Sequence, residues 1–427
     1  MKKFISVVSL VLAVTLVLAG CSKKEADDGT VVDVEIWHTY GGSQAECLNA
    51  LADSFNASQT KYNVKVLNQD YSGFADAVYN AVANGVGPSI IFNYGSTAID
   101  YAREGLAIDI TKYIDEDSKK GDNSMKEIIE SLPEAMKTDV RGFADNGIYY
   151  LPGCTTGPVF FYNKTMYDKY GLKAPASWEE LESNSKVIFE KTGKAGFYSD
   201  GLVDNLQSLI MTNNLGYIDV PAKKVTFCTD KMAEIYQWYA DNCNKGYFEF
   251  NTIGRYASED LANGDIAAFS GSCVNDQYIQ MVTGDELGMA PMICSANGNS
   301  FYTAWNRGPI FFTHDEKTDK GAYEFVKFFL QPENNAAWAK ANSALAPYGT
   351  TQKTAAYQEY VNNLPAGSAL PSVQANLPVS GSFPNVIGAA QIRNLIVAYL
   401  NRVVDGQLTA KNAVAELEKE CNAALNQ

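Results

Sequence analysis

The chain has 427 residues, of which 46% are hydrophobic, and its formal net charge at pH 7 is −15. This length is too great for one hydrophobic core, so we expect two or three lobes. The strong acidity disfavours nucleic acid and anionic lipid headgroups as partners, because both are negatively charged.

The first 20 residues have the composition of a signal peptide. Lys2 and Lys3 form a basic start, and residues 4–18 are almost entirely apolar. This run is short for a bilayer span, and it ends in the letters LAGC at residues 18–21. These letters resemble the lipobox of bacterial lipoproteins, which implies cleavage before Cys21 and lipid attachment to it. An ordinary secreted protein is the alternative.

Residues 21–30 are polar and charged, and they are expected to form a tether between the lipid and the folded protein. No later stretch offers about eighteen uncharged apolar residues. We therefore expect the remainder to be soluble and held at the outer face of the cell membrane only by its lipid.

The sequence contains 8 cysteines, and lipidation of Cys21 would leave an odd number. The others are spread singly without a CxxC pair, which argues against a zinc site and against a disulfide scaffold. We expect small buried apolar residues, with a bridge such as Cys228 to Cys243 as the alternative.

The first part of the chain alternates strands with amphipathic helices. Strands are predicted at 32–37, 62–69 and 89–94, and helices are predicted after Ser43 and from residue 74. Ser43 is the predicted cap of the first helix, whose apolar face comprises Leu48, Leu51, Ala52 and Phe55. This alternation is typical of an α/β fold with a parallel sheet covered on both faces.

The alternation continues to the end of the chain. Further helices are predicted at 96–104, 125–137, 177–192, 230–245, 256–263, 318–330 and 332–342, and further strands at 148–151, 158–162, 266–270, 287–292 and 309–313. The tail is predicted as two helices, 386–404 and 409–425, with Thr409 as a cap. The polar stretch 362–384 is expected to be a long surface connection.

The sequence does not predict an enzyme. It has two histidines, His38 and His314, and neither lies in a nucleophile or metal motif. Cys154, in PGCTTGP, has no evident cationic neighbour that would lower the pKa of its thiol. A glycosidase needs only two carboxylates, so it remains the enzymatic alternative in a chain with 49 acidic residues. No cofactor or metal is predicted.

Aromatic residues make up 12% of the chain, and several lie in loops that follow predicted strands, as in WHTYGGSQ, DYSGF, FNYGS and FYTAWNRGP. Open parallel sheets bind ligands at such loops, and sugars are held by aromatic faces and polar edges. Each of these aromatics could equally be a packing residue. The ligand-binding candidates from these loops are Tyr40, Gln44, Phe74, Tyr94 and Trp305.

Two arginines stand out in so acidic a chain. Arg307 follows Trp305 and Asn306, and Arg393 lies near the start of the predicted helix 386–404. A guanidinium suits a carboxylate or a phosphate. The alternative for both is a pair with a nearby acidic side chain or exposure to water.

Ordered motifs across about 390 residues resemble the extracellular solute-binding proteins of ABC importers, in the carbohydrate-type family. The motifs are VEIWHTYGG, FNASQTKYNVKV, ANGVGPSIIF, GLAIDIT, YYLPGCTTGPVFFYNKTMYDKYGLKAPASWEELE, LANGDIAAFSGS, AYEFVKFFLQPENNAAWAK and the final helix pair. The resemblance implies a type II periplasmic-binding-protein-like fold with two α/β lobes. It also implies a monomer that captures a small molecule by hinge closure and delivers it to a membrane permease.

Within that family, WHTYGG, NTIGRYASEDLANGDIAAFSGS and GAAQIRNLI resemble the glycerol-3-phosphate-binding subgroup. The resemblance places Arg393 on the phosphate, and it completes the site with Thr155 or Thr156, Ser270 or Ser272, and the residues around Asn306 and Arg307. Two positions depart from the subgroup, because Tyr94 replaces a glutamate and Ala344 replaces a tyrosine. The ligand could therefore be another phosphorylated polyol, a phosphodiester or an uncharged oligosaccharide.

The expected organisation is a signal peptide (1–20), a lipid-anchored tether (21–30) and two lobes. Lobe 1 comprises 31–153 and 304–374, and lobe 2 comprises 154–303 and 375–427. The stretch GCTTGP is expected to cross between them. A secreted glycosidase and a cell-surface adhesin are the competing classes of protein.

Overall fold

The computed structural model describes residues 29–70, 72–143, 145–250, 257–381 and 384–426. The predicted signal peptide, Cys21 and most of the tether lie outside the described residues. The strands are β1 (Val32–His38), β2 (Tyr62–Asn68), β3 (Ile90–Tyr94), β4 (Cys154–Thr156), β5 (Pro158–Asn163), β6 (Phe197–Ser199), β7 (Ile218–Asp219), β8 (Lys224–Val225), β9 (Phe248–Phe250), β10 (Ala268–Ser272), β11 (Leu287–Pro291), β12 (Ser295–Ala296), β13 (Asn299–Ser300), β14 (Tyr302–Thr303), β15 (Trp305–Phe311) and β16 (Ser380–Gly381).

The helices are α1 (Gly42–Ser58), α2 (Phe74–Ala83), α3 (Ala98–Arg103), α4 (Thr111–Lys119), α5 (Ser124–Glu130), α6 (Glu134–Val140), α7 (Lys164–Lys169), α8 (Trp178–Thr192), α9 (Leu202–Thr212), α10 (Asp230–Asn244), α11 (Ala257–Asn263), α12 (Glu316–Phe329), α13 (Pro332–Ala341), α14 (Gly349–Gln352), α15 (Ala355–Asn362), α16 (Leu370–Asn376), α17 (Ala389–Val404) and α18 (Ala410–Ala424). Short 3₁₀ turns occur at Gly95–Thr97, Cys273–Gln277 and Leu377–Val379. Among the described residues, no helix is both long enough and apolar enough to cross a membrane.

The first sheet has the strand order β2-β1-β3-β15-β4. Strand β1 is parallel to β2 and β3, whereas β15 is antiparallel to β3 and β4. Successive buried side chains of β3 point to opposite faces of the sheet: Ile90 and Phe92 belong to one apolar cluster and Ile91 to another. Both faces of the sheet are therefore covered. The predicted β-α-β order of this region is therefore present, with one later strand inserted against β3.

The second sheet has the strand order β11-β5-β10-β6-β9. Strand β5 pairs antiparallel with β10 and β11, and β6 is parallel to β10 and β9. Val159, Phe160 and Phe161 of β5 are all buried, as expected for a central strand with both faces covered. Helices α17 and α18 pack on each other and on α10.

The chain passes from the first sheet to the second at Gly157. Strand β4 pairs with β15 in the first sheet, and β5 begins at Pro158 in the second. The first sheet thus extends three residues beyond the predicted boundary at 153. A Cβ on Gly157 would lie 2.1 Å from the hydroxyl of Tyr302, which donates to the Pro158 carbonyl at 2.9 Å. The crossing therefore leaves no room for a side chain.

Several predicted elements are confirmed. The apolar face of α1 is buried at Leu48, Leu51, Ala52 and Phe55. The hydroxyl of Thr409 accepts a hydrogen bond from the Asn412 N–H at 3.3 Å, so Thr409 caps α18 as predicted.

Four predictions are wrong. Ser43 lies inside α1 and donates to the Ala341 carbonyl at 3.0 Å instead of capping the helix. The helix predicted at 125–137 is two helices, because Pro133 precedes α6 and cannot continue α5. No regular strand forms at 148–151, where Tyr150 makes only an isolated bridge to Ile310.

The fourth error is the segment 362–384, which is not a mere surface connection. It contains α16, with Leu370 and Val373 buried, and this helix packs against β5 and β11 of the second sheet. Contact with the second sheet thus begins before the predicted lobe boundary at residue 374.

Candidate ligand-binding site

A cavity of about 410 Å³ lies between the two sheets. Its walls come from the ends of β3 and β15, from α6, α9 and α17, and from the segments between them. The lining residues are Tyr94, Gly95, Ser96, Met136, Asp139, Val140, Tyr150, Pro152, Asp204, Thr303, Ala304, Trp305, Asn306, Asn385 and Arg393. The predicted site residues among them are Tyr94, Trp305, Asn306 and Arg393.

Tyr94, Trp305 and Asn306 reach the cavity because of the register of β15. Arg307 is opposite Tyr94 in the β15–β3 pair, so the two residues before Arg307 lie beside the end of β3. Asn306 is held by the hydroxyl of Tyr150, which donates to its carbonyl at 2.6 Å. Two aromatic side chains and an amide are thereby placed on one wall.

Arg393 forms an ion pair with Asp204 inside the cavity. A terminal guanidinium nitrogen (NH2) of Arg393 lies 2.8 Å from Asp204 Oδ1, and the two side chains are 29% and 6% exposed, respectively. Arg393 projects from the first turns of α17, and Asp204 from the first turn of α9. The guanidinium that the sequence assigned to a phosphate is therefore already partnered by a carboxylate.

A second carboxylate, that of Asp139 near the end of α6, lines the same cavity. The Asn385 amide donates to the Asp139 carbonyl at 2.8 Å, which connects the segment before α17 to α6. Among the described residues, the lining thus contains the carboxylates of Asp139 and Asp204 and the guanidinium of Arg393. The walls offer hydrogen-bond donors and acceptors, together with aromatic faces.

Arg307 lies behind the wall instead of lining the cavity. Its guanidinium carbon lies 5.2 Å from the centroid of the Tyr40 ring and 5.6 Å from that of Tyr94. It also donates to the Phe92 carbonyl at 3.4 Å. Tyr40 is buried and packs edge-on against Trp338. Cation–π contact therefore makes Arg307 a support for Tyr94.

Thr155 and Ser270 are buried in internal hydrogen bonds. The Thr155 hydroxyl donates to Asn306 Oδ1 at 2.8 Å, and Ser270 Oγ accepts from the Asn205 amide at 2.8 Å. Thr156 is half-buried, and its hydroxyl lies 3.5 Å from the Trp305 carbonyl. These three side chains hold the walls of the cavity without lining it.

Gln44, Phe74 and Ser272 are half-buried and also do not line the cavity. Phe74 begins α2 and packs against the apolar cluster beneath that helix. Ser272 is opposite Pro158 in the β10–β5 pair. Their strands and helices form near the predicted bounds, but these side chains are directed to packing or to other surfaces.

The nucleophile candidate Cys154 has a cationic neighbour that the sequence did not show, because Arg307 lies opposite it in the β15–β4 pair. Cys154 is buried, and burial raises the pKa of its thiol to about 12; this effect is larger than the opposing one of Arg307, which lowers the pKa, so the thiol is neutral at ordinary pH. His38 is also buried, which lowers its pKa, and its Nδ1 accepts from the Tyr40 N–H at 3.0 Å. All seven cysteines in the described part of the chain are free thiols, Cys228 and Cys243 included. The described ranges hold no cluster of three or more metal-ligating side chains.

Several lining residues were not predicted as site residues, among them Asp139, Tyr150, Asp204, Thr303 and Asn385. For Asp204 a signal existed, because Leu202, Leu206 and Ile210 recur at helical spacing and mark α9, which was not predicted. Asp139 lies in α6 and Thr303 in the two-residue strand β14, and their position at the cavity depends on long-range packing. Tyr150 and Asn385 lie between regular elements, where the sequence has no periodic pattern.

Curated relatives align with nearly the whole chain. The sn-glycerol-3-phosphate-binding periplasmic protein UgpB of Rhizobium meliloti is 23% identical, and the alignment covers 92% of this chain and 94% of that protein. The protein of the same name from Yersinia pestis is 24% identical, with 82% of each chain covered. These relatives are binding proteins by name.

Solved structures share the fold. The cyclic alpha-maltosyl-1,6-maltose binding protein from Arthrobacter globiformis matches with a TM-score of 0.78 at 19% identity, over 93% of this chain and 99% of that one. UgpB from Mycobacterium tuberculosis, in complex with glycerophosphocholine, matches with a TM-score of 0.72 at 15% identity, again over 93% and 99%. The predicted α/β, two-lobed periplasmic-binding-protein fold is confirmed.

A family model described as a bacterial extracellular solute-binding protein matches residues 50–366, which is more than half of the chain. The match includes the second sheet, every strand of the first sheet except β1, and most of the walls of the cavity. This chain belongs to the family of bacterial extracellular solute-binding proteins.

Proposed function

We propose that this protein is the substrate-binding component of an ABC importer and that it captures a neutral, polyhydroxylated solute of the sugar class. The observation that carries the proposal is the cavity between the sheets, with aromatic side chains on one wall and the Arg393–Asp204 pair on another. The ligand is bound and delivered to a permease without any bond being broken.

The chemistry of the walls suits sugar hydroxyl groups. Each hydroxyl can donate to a carboxylate and accept from a guanidinium, and the Arg393–Asp204 pair supplies both groups side by side. The faces of Trp305 and Tyr94 suit the apolar faces of a sugar ring. Aromatic faces combined with a few fixed polar groups are the usual composition of a small-molecule site.

The charge balance favours a neutral ligand over an anion. Of the described residues that line the cavity, Asp139 and Asp204 carry carboxylates and Arg393 carries a guanidinium. A phosphate in contact with Arg393 would lie close to the Asp204 carboxylate, and like charges at that separation repel.

A glycerol phosphate or a glycerophosphodiester is the second candidate ligand. It is favoured by the guanidinium of Arg393 in the cavity and by the relatives, which are named for sn-glycerol 3-phosphate. The neighbour from M. tuberculosis contains glycerophosphocholine. Such a ligand would have to take the place of Asp204 as a partner of Arg393.

We further propose that the two sheets are the centres of two lobes that close over the ligand. The lobes comprise approximately 31–156 with 304–369, and 158–303 with 370–427. Gly157 would be one of the crossing points. Closure by small backbone rotations at such crossings is a common transition, and it would exclude water and strengthen the polar contacts.

The lipid anchor through Cys21 and the position at the outer face of the membrane are also proposals. They rest on the LAGC letters and on the extracellular family. Replacement of Cys21 by serine should release the protein from the membrane fraction into the soluble extracellular fraction. Retention of the Cys21→Ser protein in the membrane would contradict the anchor.

The function is tested by a thermal-shift screen of the protein without its first 28 residues. The screen compares maltose, other neutral sugars, sn-glycerol 3-phosphate and glycerophosphocholine, with chromatography of each ligand afterwards. We expect saturable stabilisation by a neutral sugar that is recovered unchanged. Release of a cleaved sugar would instead support the glycosidase alternative, and stabilisation by phosphates alone would support the second candidate.

A further inference from the structure

A second cavity of about 410 Å³ lies beside the first, between α3 and residues 142–145 on one side and the β7–β8 hairpin, residues 385–387 and Leu425 on the other. Its walls are mainly aliphatic and aromatic, with fewer polar side chains than those of the first cavity. The side chains that define its character are Ile99, Phe143, Ile218, Val220, Ile387 and Leu425.

The two cavities adjoin because three chain segments pass from one to the other. In the first segment, residues 95–96 line the first cavity and residues 99–103 line the second. In the second segment, residues 139–140 line the first cavity and residues 142–143 line the second. In the third segment Asn385 lines both cavities, and residues 386–387 line only the second. Asn385, fixed by its hydrogen bond to the Asp139 carbonyl, is thus the shared wall.

Three charged residues of the described ranges line the second cavity, Arg103, Asp145 and the exposed Lys223, and the first two are engaged with other groups. Arg103 pairs with Asp100 and Glu104 at 3.2 and 3.3 Å. The Asp145 carboxylate accepts from the Gly147 N–H at 2.9 Å. A hydroxyl group placed against the aliphatic walls would lose its water partners without compensation, whereas an apolar group would gain by leaving water.

We propose that the second cavity is a subsite for an apolar substituent of the same ligand. The ligand is then amphipathic, with a sugar-class head in the first cavity and an alkyl or aryl group beyond Asn385. The shared wall is the reason to assign one ligand to both cavities. The assignment of the head rests on the proposed function, whereas the apolar subsite rests on the second cavity alone.

The apolar subsite is tested first without any sugar. The probe is N-phenyl-1-naphthylamine, a neutral dye that fluoresces in apolar surroundings. Val220→Asp places a charge on a side chain that is 44% exposed, so the fold should tolerate it. Val86→Asp is the matched control, because Val86 is 74% exposed and lines neither cavity.

We expect saturable binding of one dye molecule, weakened at least about fivefold by Val220→Asp and unchanged by Val86→Asp. If the wild-type protein does not bind the dye, or if both variants bind it equally well, the apolar subsite is overturned. Absence of dye binding is also the result expected if the apolar walls serve only to meet each other when the lobes close.

The link between the cavities is tested with methyl and hexyl β-D-glucoside. Hexyl glucoside should bind more tightly, by roughly tenfold for every two methylenes buried, and it should displace the dye. Val220→Asp should remove this gain and leave the affinity for methyl glucoside unchanged.

Equal affinities for the two glucosides would overturn the apolar subsite but not the sugar site. If the dye binds as expected and neither glucoside binds, the assignment of a sugar-class head and of an amphipathic ligand is wrong. The assignment of an apolar subsite would then still hold.

Discussion

Replacement of Asp204 by asparagine distinguishes the two candidate ligand classes by the sign of its effect. The substitution keeps the shape of the side chain and removes one negative charge from the cavity. A phosphate bound to Arg393 would lie about 5 Å from that charge. At an effective dielectric constant of about 20, the repulsion is about 3 kcal/mol. Partial exposure of Arg393 and dissolved salt reduce this value to about 1 to 3 kcal/mol.

Asp204→Asn should therefore tighten the binding of a phosphate ligand by about fivefold or more. A neutral sugar should respond in the opposite direction, because a hydrogen bond to a carboxylate is replaced by a weaker one to an amide. The expected loss is about 1 kcal/mol, or roughly fivefold in affinity.

The assay is isothermal titration calorimetry with maltose, sn-glycerol 3-phosphate and any further ligand found in the thermal-shift screen. Asp53→Asn is the matched control, because Asp53 is exposed on α1 and does not line the cavity. Equal affinity of the wild type and Asp204→Asn for every ligand that binds would refute the placement of the ligand against the Arg393–Asp204 pair.

Three other predictions follow from the structure. Trp305→Ala should lower the affinity for a sugar by about 1 to 2 kcal/mol in calorimetry, whereas Tyr278→Ala, at a residue 71% exposed outside the cavity, should not. Gly157→Ala should lower the free energy of unfolding in urea by about 1 to 3 kcal/mol, because its Cβ has no space; wild-type stability would contradict the tight crossing. Burial raises the pKa of Asp200 to about 6, above its unfolded value near 4. Asp200 therefore contributes a loss of stability as the pH rises from about 4 to about 6, and Asp200→Asn should remove that contribution, so the variant should gain stability relative to the wild type between about pH 4 and about pH 7. An unchanged pH profile would contradict this role of Asp200.

The parts of the fold with clear periodic patterns could be predicted from the sequence. The alternation of β1 and the apolar face of α1 follow directly from the spacing of their residues. The order of strands and helices predicted an α/β fold, and the family resemblance implied its two lobes. The periodic pattern of the sequence could not predict that β15 lies between β3 and β4. The pairing of β15 with these two strands joins residues more than 140 positions apart.

The predicted residues that line the cavity lie at the end of β3, at the start of β15 and in the first turns of α17. Tyr94 and Trp305 lie at the ends of strands and line the cavity. Thr155 and Ser270 lie within strands, and their hydroxyl groups are used inside the protein. Arg393 was predicted to bind the ligand through its charge. Its partner Asp204 is distant in sequence, so the ion pair could not be predicted without the structure.

Sugar binding by this protein is best tested by a calorimetric titration of neutral sugars into the wild-type protein and Arg393→Ala, with the sugar analysed afterwards. We expect one bound sugar per chain, a clear loss of affinity in Arg393→Ala, and full recovery of intact sugar. Binding that does not depend on Arg393, or conversion of the sugar to a product, would contradict the proposed function.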